Sequence, residues 1–136
     1  MKARSTIAAA ALLLAACGQQ DNASRAPTRE IKVRSAEQDQ LHTLDAMNLA
    51  IALKRAIYGA GYFCKRITDA GFVGTWKNLD EWMAHCEYDK GVARDWAVFA
   101  GPDGSAQVRD CKDVPGTGLP ECKIVKRPSG SFGEAS

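Results

Sequence analysis

The chain lacks an apolar run long enough to span a bilayer: the longest, which starts at Ile7 and ends before Gly18, falls well short of the roughly 20 residues a membrane helix requires. It has no run of more than two consecutive lysines or arginines. Its formal charge of +2 is supplied by Lys2 and Arg4, and the remainder balances 16 basic against 16 acidic side chains. Nucleic acid, which needs a concentrated basic surface, is therefore not an expected partner. Histidine is scarce, with only His42 and His85. No Cys-x-x-Cys pair occurs, which removes the usual sequence signature of a redox enzyme, and the cysteines are too scattered for a paired-ligand zinc site. There is no Gly-x-Ser-x-Gly element. The glycines of Gly101, Pro102, Asp103 and Gly104 are not followed by the lysine and helix of a phosphate-binding loop. Asp80 and Glu81 are adjacent, so on a strand they point to opposite faces and cannot form a facing carboxylate pair. No catalytic residue, metal ligand set or cofactor is assigned on these grounds.

What is present begins at the N-terminus. Lys2 and Arg4 precede an apolar segment of Ile, Ala and Leu from Ile7 to Leu14, which is the layout of an export signal over residues 1–16. Leu14, Ala15, Ala16 and Cys17 then resemble the bacterial lipobox, matching all four of its positions. Membership of the bacterial lipoproteins implies that the Cys17 thiol is joined to diacylglycerol, that the chain is cut before Cys17, and that the new amine is acylated. Two or three acyl chains, at about 0.8 kcal/mol per buried CH₂, hold a protein to a membrane where one does not. Gly18 stands where the resemblance would place an inner-membrane retention aspartate, so the expected site is the outer membrane, facing the periplasm.

Residues 17–34 form a polar, Pro27-containing stretch that reads as a lipidated tether, reaching about 25 Å. With 136 residues, 46% of them hydrophobic and 25% charged, the chain has room for one modest domain, expected over 35–126 and followed by a flexible tail at 127–136. Ser35 and Gln38 have capping-box spacing, and a single helix is expected from Ser35 to about Ala60, where Gly59 and Gly61 offer stop positions. At about 100° per residue, Ala46, Leu49, Ala50, Leu53 and Ile57 make one apolar stripe, and Leu44, Met47, Ile51 and Tyr58 a second. One sheet face cannot cover both, so the second stripe is the candidate partner-binding surface.

Beyond the helix the period changes to two. Strands are expected at 62–68, at 82–88 with Trp82, Ala84 and Cys86 on one face and Met83, His85 and Glu87 on the other, at 94–100, and at 106–111. A short strand at 72–76 within an irregular connection is a further element. The fold class is α+β: one N-terminal helix on an antiparallel meander of three to four strands. With Cys17 assigned to lipid, Cys64, Cys86, Cys111 and Cys122 form an even set suited to an oxidising compartment. In meander order Cys86 and Cys111 lie about 9.5 Å apart, too far for a disulfide. That leaves Cys64–Cys86 with Cys111–Cys122 as the simplest pairing and Cys64–Cys111 as the alternative.

Residues 38–111, with a helix, the strands from Trp82 to Tyr88 and Asp95 to Ala100, the Gly-Pro-Asp-Gly turn and a closing strand, resemble the PepSY-like and BamE-like small periplasmic domains. The resemblance implies a role in binding another envelope protein and carries over no site residues. The expectation is a membrane-anchored, non-catalytic binding module. The alternative is a periplasmic enzyme or metal carrier using His85 and Met83, soft and borderline ligands on one strand face. Mass spectrometry of protein extracted from membranes should detect an acylated peptide beginning at Cys17, and Cys17→Ser should abolish it. An unmodified soluble wild-type product would refute lipidation.

Overall fold

The computed structural model describes residues 33–133. The signal segment, Cys17 and the tether up to residue 32 lie outside the described residues. Elements follow in the order α1 (Ala36–Leu41), α2 (Ala46–Gly59), β1 (Arg66–Trp76), β2 (Leu79–Glu87), β3 (Ala93–Ala100) and β4 (Ala106–Asp110). The fold is α+β, with one long helix, an antiparallel four-stranded sheet and two disulfides.

The single expected helix is instead two. Ser35 and Gln38 do form a reciprocal capping box at the start of α1. The helix stops at His42, and Thr43 turns its hydroxyl back to the Gln40 carbonyl at 2.8 Å. Asp45 then caps α2 by accepting from the Asn48 amide at 2.9 Å. Short polar side chains that bond their own backbone compete with helix continuation, and here they win. The C-terminal stop falls as the glycines predict: α2 ends at Gly59, and Gly61 adopts a φ of +85°.

The strand order is β1-β2-β3-β4, every pair antiparallel. Two features distinguish the sheet from the plain meander expected. β1 is one strand where a strand and a broken connection are expected, because register shifts between Ile67 and Asp69 and between Phe72 and Gly74 interrupt its period-two pattern. Its outer edge is also occupied. The Phe72 amide donates to the Lys126 carbonyl at 2.8 Å, and the Val125 amide donates back to Phe72 at 2.8 Å. This close approach needs a glycine: a Cβ on Gly71 would sit 2.4 Å from Ile124 and 2.6 Å from the Lys126 carbonyl.

Both faces of the sheet are covered. Leu49, Leu53 and Ile57 of α2 pack with Ile67, Trp82, Ala84, Trp96 and Val98 on one face. On the other, Ala97 and Phe99 meet Val114, Leu119 and the Cys111–Cys122 region. The disulfides join Cys64 to Cys86 and Cys111 to Cys122, with Cα separations of 5.6 and 5.8 Å, the simpler of the two expected pairings. The segment after residue 126, expected as a flexible tail, makes specific contacts as far as residue 133. Arg127 pairs with Asp69 at 2.8 Å, the Ser129 carbonyl accepts from the Ala46 amide at 2.8 Å, and Phe132 packs against the main core. The free N–H groups at the start of α2 explain part of this docking.

Leu53 is 2% exposed and Met47 is 57% exposed on the same helix. Leu53→Ala should therefore lower unfolding free energy by about 2 to 5 kcal/mol, and Met47→Ala by under about 0.5 kcal/mol. Urea denaturation monitored by circular dichroism measures both; equal effects would mean α2 is not seated by this stripe.

Candidate functional site

The second apolar stripe of α2 divides in the structure. Leu44, in the turn between the helices, is partly buried and packs against the core. Met47, Ile51 and Tyr58 face outward, with Ile51 45% and Tyr58 47% exposed. The band continues past the end of α2 into an aromatic cluster. Tyr58 meets Phe63 edge-on at 5.7 Å, Phe63 lies 6.0 Å from Tyr88, and Tyr62 covers Trp96 at 4.6 Å. Polar anchors fix these rings: the Tyr88 hydroxyl donates to the Phe63 carbonyl at 2.6 Å, and Trp96 Nε1 donates to the Tyr88 hydroxyl at 3.3 Å. A concavity of about 570 Å³ opens beside them, lined by Tyr62, Phe63, Tyr88, Val92 and Trp96. Tyr62, Phe63 and Val92 are exposed, so the band extends over one helix and two loops.

His85 and Met83 lie on the sheet face turned away from α2. His85 Nδ1 is 2.5 Å from an Asp95 carboxylate oxygen on β3, so one ring nitrogen is already engaged. Among the described residues no cluster of three or more His, Cys, Asp and Glu side chains is placed to hold a metal ion. No helix among them is long and apolar enough to cross a membrane.

Asp80 and Glu81 point to opposite faces of β2 as their adjacency implies, but their burial was not read from residue patterns, and they have opposite surroundings. Asp80, fully buried on the α2 side, receives two bonds from Arg34 at 2.9 and 2.8 Å and lies 2.8 Å from His42 Nε2. The Thr75 hydroxyl adds a longer contact at 3.3 Å. Burial alone would raise the Asp80 carboxyl, but the hydrogen bonds and charges of Arg34 and His42 hold it below its ordinary value. His42 is thus a structural histidine, wedged edge-on against Phe72 at 4.7 Å and close to Trp82. Gln38 completes this end of the domain: its amide donates to the Asn78 and Ala100 carbonyls at 2.8 and 2.9 Å, tying α1 to two hairpin turns.

Glu81, its neighbour on β2, is also fully buried but has no such help. Its Oε2 has no hydrogen-bond partner, and its Oε1 lies 3.8 Å from Cys122 Sγ. A disulfide sulfur carries no proton, so that contact is not a hydrogen bond. Burial pushes the Glu81 carboxyl up to about 7. The signal that would have found both acids is their position between Leu79 and Trp82 inside a strand sandwiched on both sides.

No family model, curated protein or solved structure matches the chain.

The two acids predict opposite pH dependences. Asp80 titrates below its unfolded value of 3.8 when folded, so its stabilisation is complete above that pH and is lost as pH falls through the folded value. Glu81 titrates at about 7 folded against 4.5 unfolded, so the fold retains a proton the open chain has released, and stability declines as pH rises from 4.5 to 7. Thermal midpoints should show Asp80→Asn flattening the acid limb and Glu81→Gln flattening the decline toward pH 8. A Glu81→Gln curve parallel to wild type would contradict the buried, unpartnered state.

Proposed function

We propose that the protein is a lipid-anchored envelope lipoprotein whose domain binds another envelope protein without catalysing a reaction. The observation that carries this reading is the exposed apolar band formed by Met47, Ile51 and Tyr58 on α2 and continued by Phe63 and Val92. A soluble helix ordinarily turns such residues inward, and contiguous apolar surface on a small domain is characteristic of association sites. Aromatic side chains held rigid by neighbouring hydrogen bonds are also the residues that dominate interface energetics. Attachment through Cys17, with Leu14, Ala15 and Ala16 ahead of it, would confine the domain to the membrane surface and raise the effective concentration for a partner there. The PepSY-like and BamE-like resemblance of residues 38–111 points the same way and rests on element pattern alone.

The test uses a photo-crosslinking residue at position 51 in the full-length protein, expressed in the envelope. A specific crosslinked partner, purified and titrated, should bind at least about thirtyfold more weakly to Ile51→Asp, the loss expected from a hot spot of about 2 kcal/mol. His85→Ala should bind as wild type does. His42→Ala is not a suitable control, because removing His42 exposes Asp80. Loss of binding in His85→Ala with retention in Ile51→Asp would overturn the reading.

A further inference from the structure

The two disulfides differ in surroundings. Cys64 and Cys86 are both 0% exposed and belong to the main core between α2 and the sheet. Cys111 and Cys122 are both partly exposed and close a loop on the opposite face. After the short turn Cys111–Asp113 that loop has no regular structure, and Gly116 and Gly118 both sit at a φ of +81°. Beneath it lies Glu81, fully buried, with one oxygen unpartnered and the other 3.8 Å from Cys122 Sγ.

An unpaired carboxyl in a closed core is costly, because its lost bonds to water are not replaced. In the disulfide form nothing nearby relieves it. Glu81 is opposite Gly74 on β1 and Phe99 on β3, and the loop brings Val114 and Leu119 to the same face. The titratable groups of these elements are engaged elsewhere or point to solvent. Lys112, Asp113, Glu121 and Lys123 of the loop are exposed, as is Arg109 of β4, while His85 on β2 is paired with Asp95 on β3. None bonds Glu81, and no charge contributes to its raised affinity for a proton. One change would give it a partner: reduction of Cys122, whose S–H would face Glu81 Oε1.

The geometry points to a thiol–disulfide exchange site at Cys111–Cys122, with Glu81 as the proton carrier for Cys122 and a dithiol able to close its own disulfide as the reaction partner. The missing Cys-x-x-Cys motif removes a sequence signature, not the chemistry, which needs two sulfurs and a proton source at the leaving one. A thiolate of the dithiol attacks Cys111 Sγ and forms a mixed disulfide. The Cys111–Cys122 bond breaks, and Cys122 leaves as a thiolate that takes the Glu81 proton. The second thiol of the partner gives up its proton and attacks its own sulfur in the mixed disulfide, releasing Cys111 as a thiolate that is then protonated. Two electrons pass from the dithiol to the protein, and the partner becomes a disulfide. In the reverse direction the Glu81 carboxylate accepts the Cys122 proton. The exchange is stoichiometric, one disulfide per chain, lies on the sheet face opposite α2, and does not depend on the binding role.

The experiment treats the oxidised full-length protein with dithiothreitol between pH 6 and 8, quenches by alkylation, and maps each cysteine by mass spectrometry. Cys111 and Cys122 should be labelled while Cys64 and Cys86 remain joined. Divided by reductant thiolate concentration, the wild-type rate constant should fall about tenfold from pH 6 to pH 8, as a carboxyl titrating near 7 loses its proton. Glu81→Gln, checked by circular dichroism, should show a flat profile. If that variant does not fold, the wild-type profile decides, with Cys64–Cys86 as internal reference. Simultaneous reduction of both disulfides, a wild-type profile that is flat or rises with pH, or the same decline in folded Glu81→Gln would each overturn the assignment.

Discussion

A sheet of four short strands that carries Trp82, Ala84, Trp96 and Val98 on one face and Ala97 and Phe99 on the other must be dried on both faces at once. A domain of this length has one substantial helix to offer, and α2 covers one face only. The second face is closed by the chain after β4, which among the described residues has no regular structure beyond the short turn Cys111–Asp113. That substitution accounts for much of what is unusual in the molecule. An irregular segment needs fixing to a sheet, and it is fixed by the Cys111–Cys122 bond, by the Phe72–Lys126 bridge and by the absence of a side chain on Gly71. Ion pairing of Arg127 with Asp69 carries it on toward α2, where the Ser129 carbonyl meets the helix start.

Closing both faces also converts neighbours on β2 into two different electrostatic problems. Asp80 and Glu81 project to opposite sides, and neither reaches water. On the helix side the solution is charge: Arg34, just ahead of α1, and His42, just behind it, converge on Asp80. The end of α1 is part of that solution, since His42, its C-cap, sits between Phe72, Trp82 and the carboxylate. On the loop side no cation arrives, and the carboxyl keeps its proton to higher pH instead. One side binds a charge by partnering it; the other avoids forming it.

Period-two and helical patterns are local properties, and the features they govern were legible in the sequence. The buried stripe of α2, the inward-facing Trp82 and Trp96, the Ser35 capping box and the Gly59 to Gly61 stop all follow from spacing and residue type. For the cysteines one geometric limit, the distance across two strands, excluded Cys86–Cys111 and left two pairings, of which the simpler is the one formed. What could not be read depended on contacts remote in sequence. Asp45 looked like a polar position on a continuous helix, and only its bond to the Asn48 amide makes it a cap. The bulges of β1 hid one strand as two fragments. Residues 111–133 have too little periodicity to announce that they cover a sheet face, and without that cover Glu81 reads as a solvated residue beside a solvated His85.

The same constraint separates the two proposed sites. Once the buried stripe of α2 is committed to the sheet, Met47, Ile51 and Tyr58 stay exposed among the described residues, Tyr58 touching only the edge of the next loop at Phe63 and Cys64. Among the described residues no further helix or strand lies over them, and the loop closed by Cys111–Cys122 goes to the opposite face. An exposed apolar band on α2 and a buried acid under the Cys111–Cys122 loop are therefore two outcomes of one allocation. They lie on opposite faces of the sheet, although the chain that closes the loop runs on to the start of α2 through Arg127 and Ser129. Opening the loop removes cover from Phe99 and Glu81 and leaves the seating of Leu49, Leu53 and Ile57 to the first core, which the fully buried Cys64–Cys86 bond still braces. A change of redox state would thus alter one face of the sheet while the surface carried by α2 kept its shape.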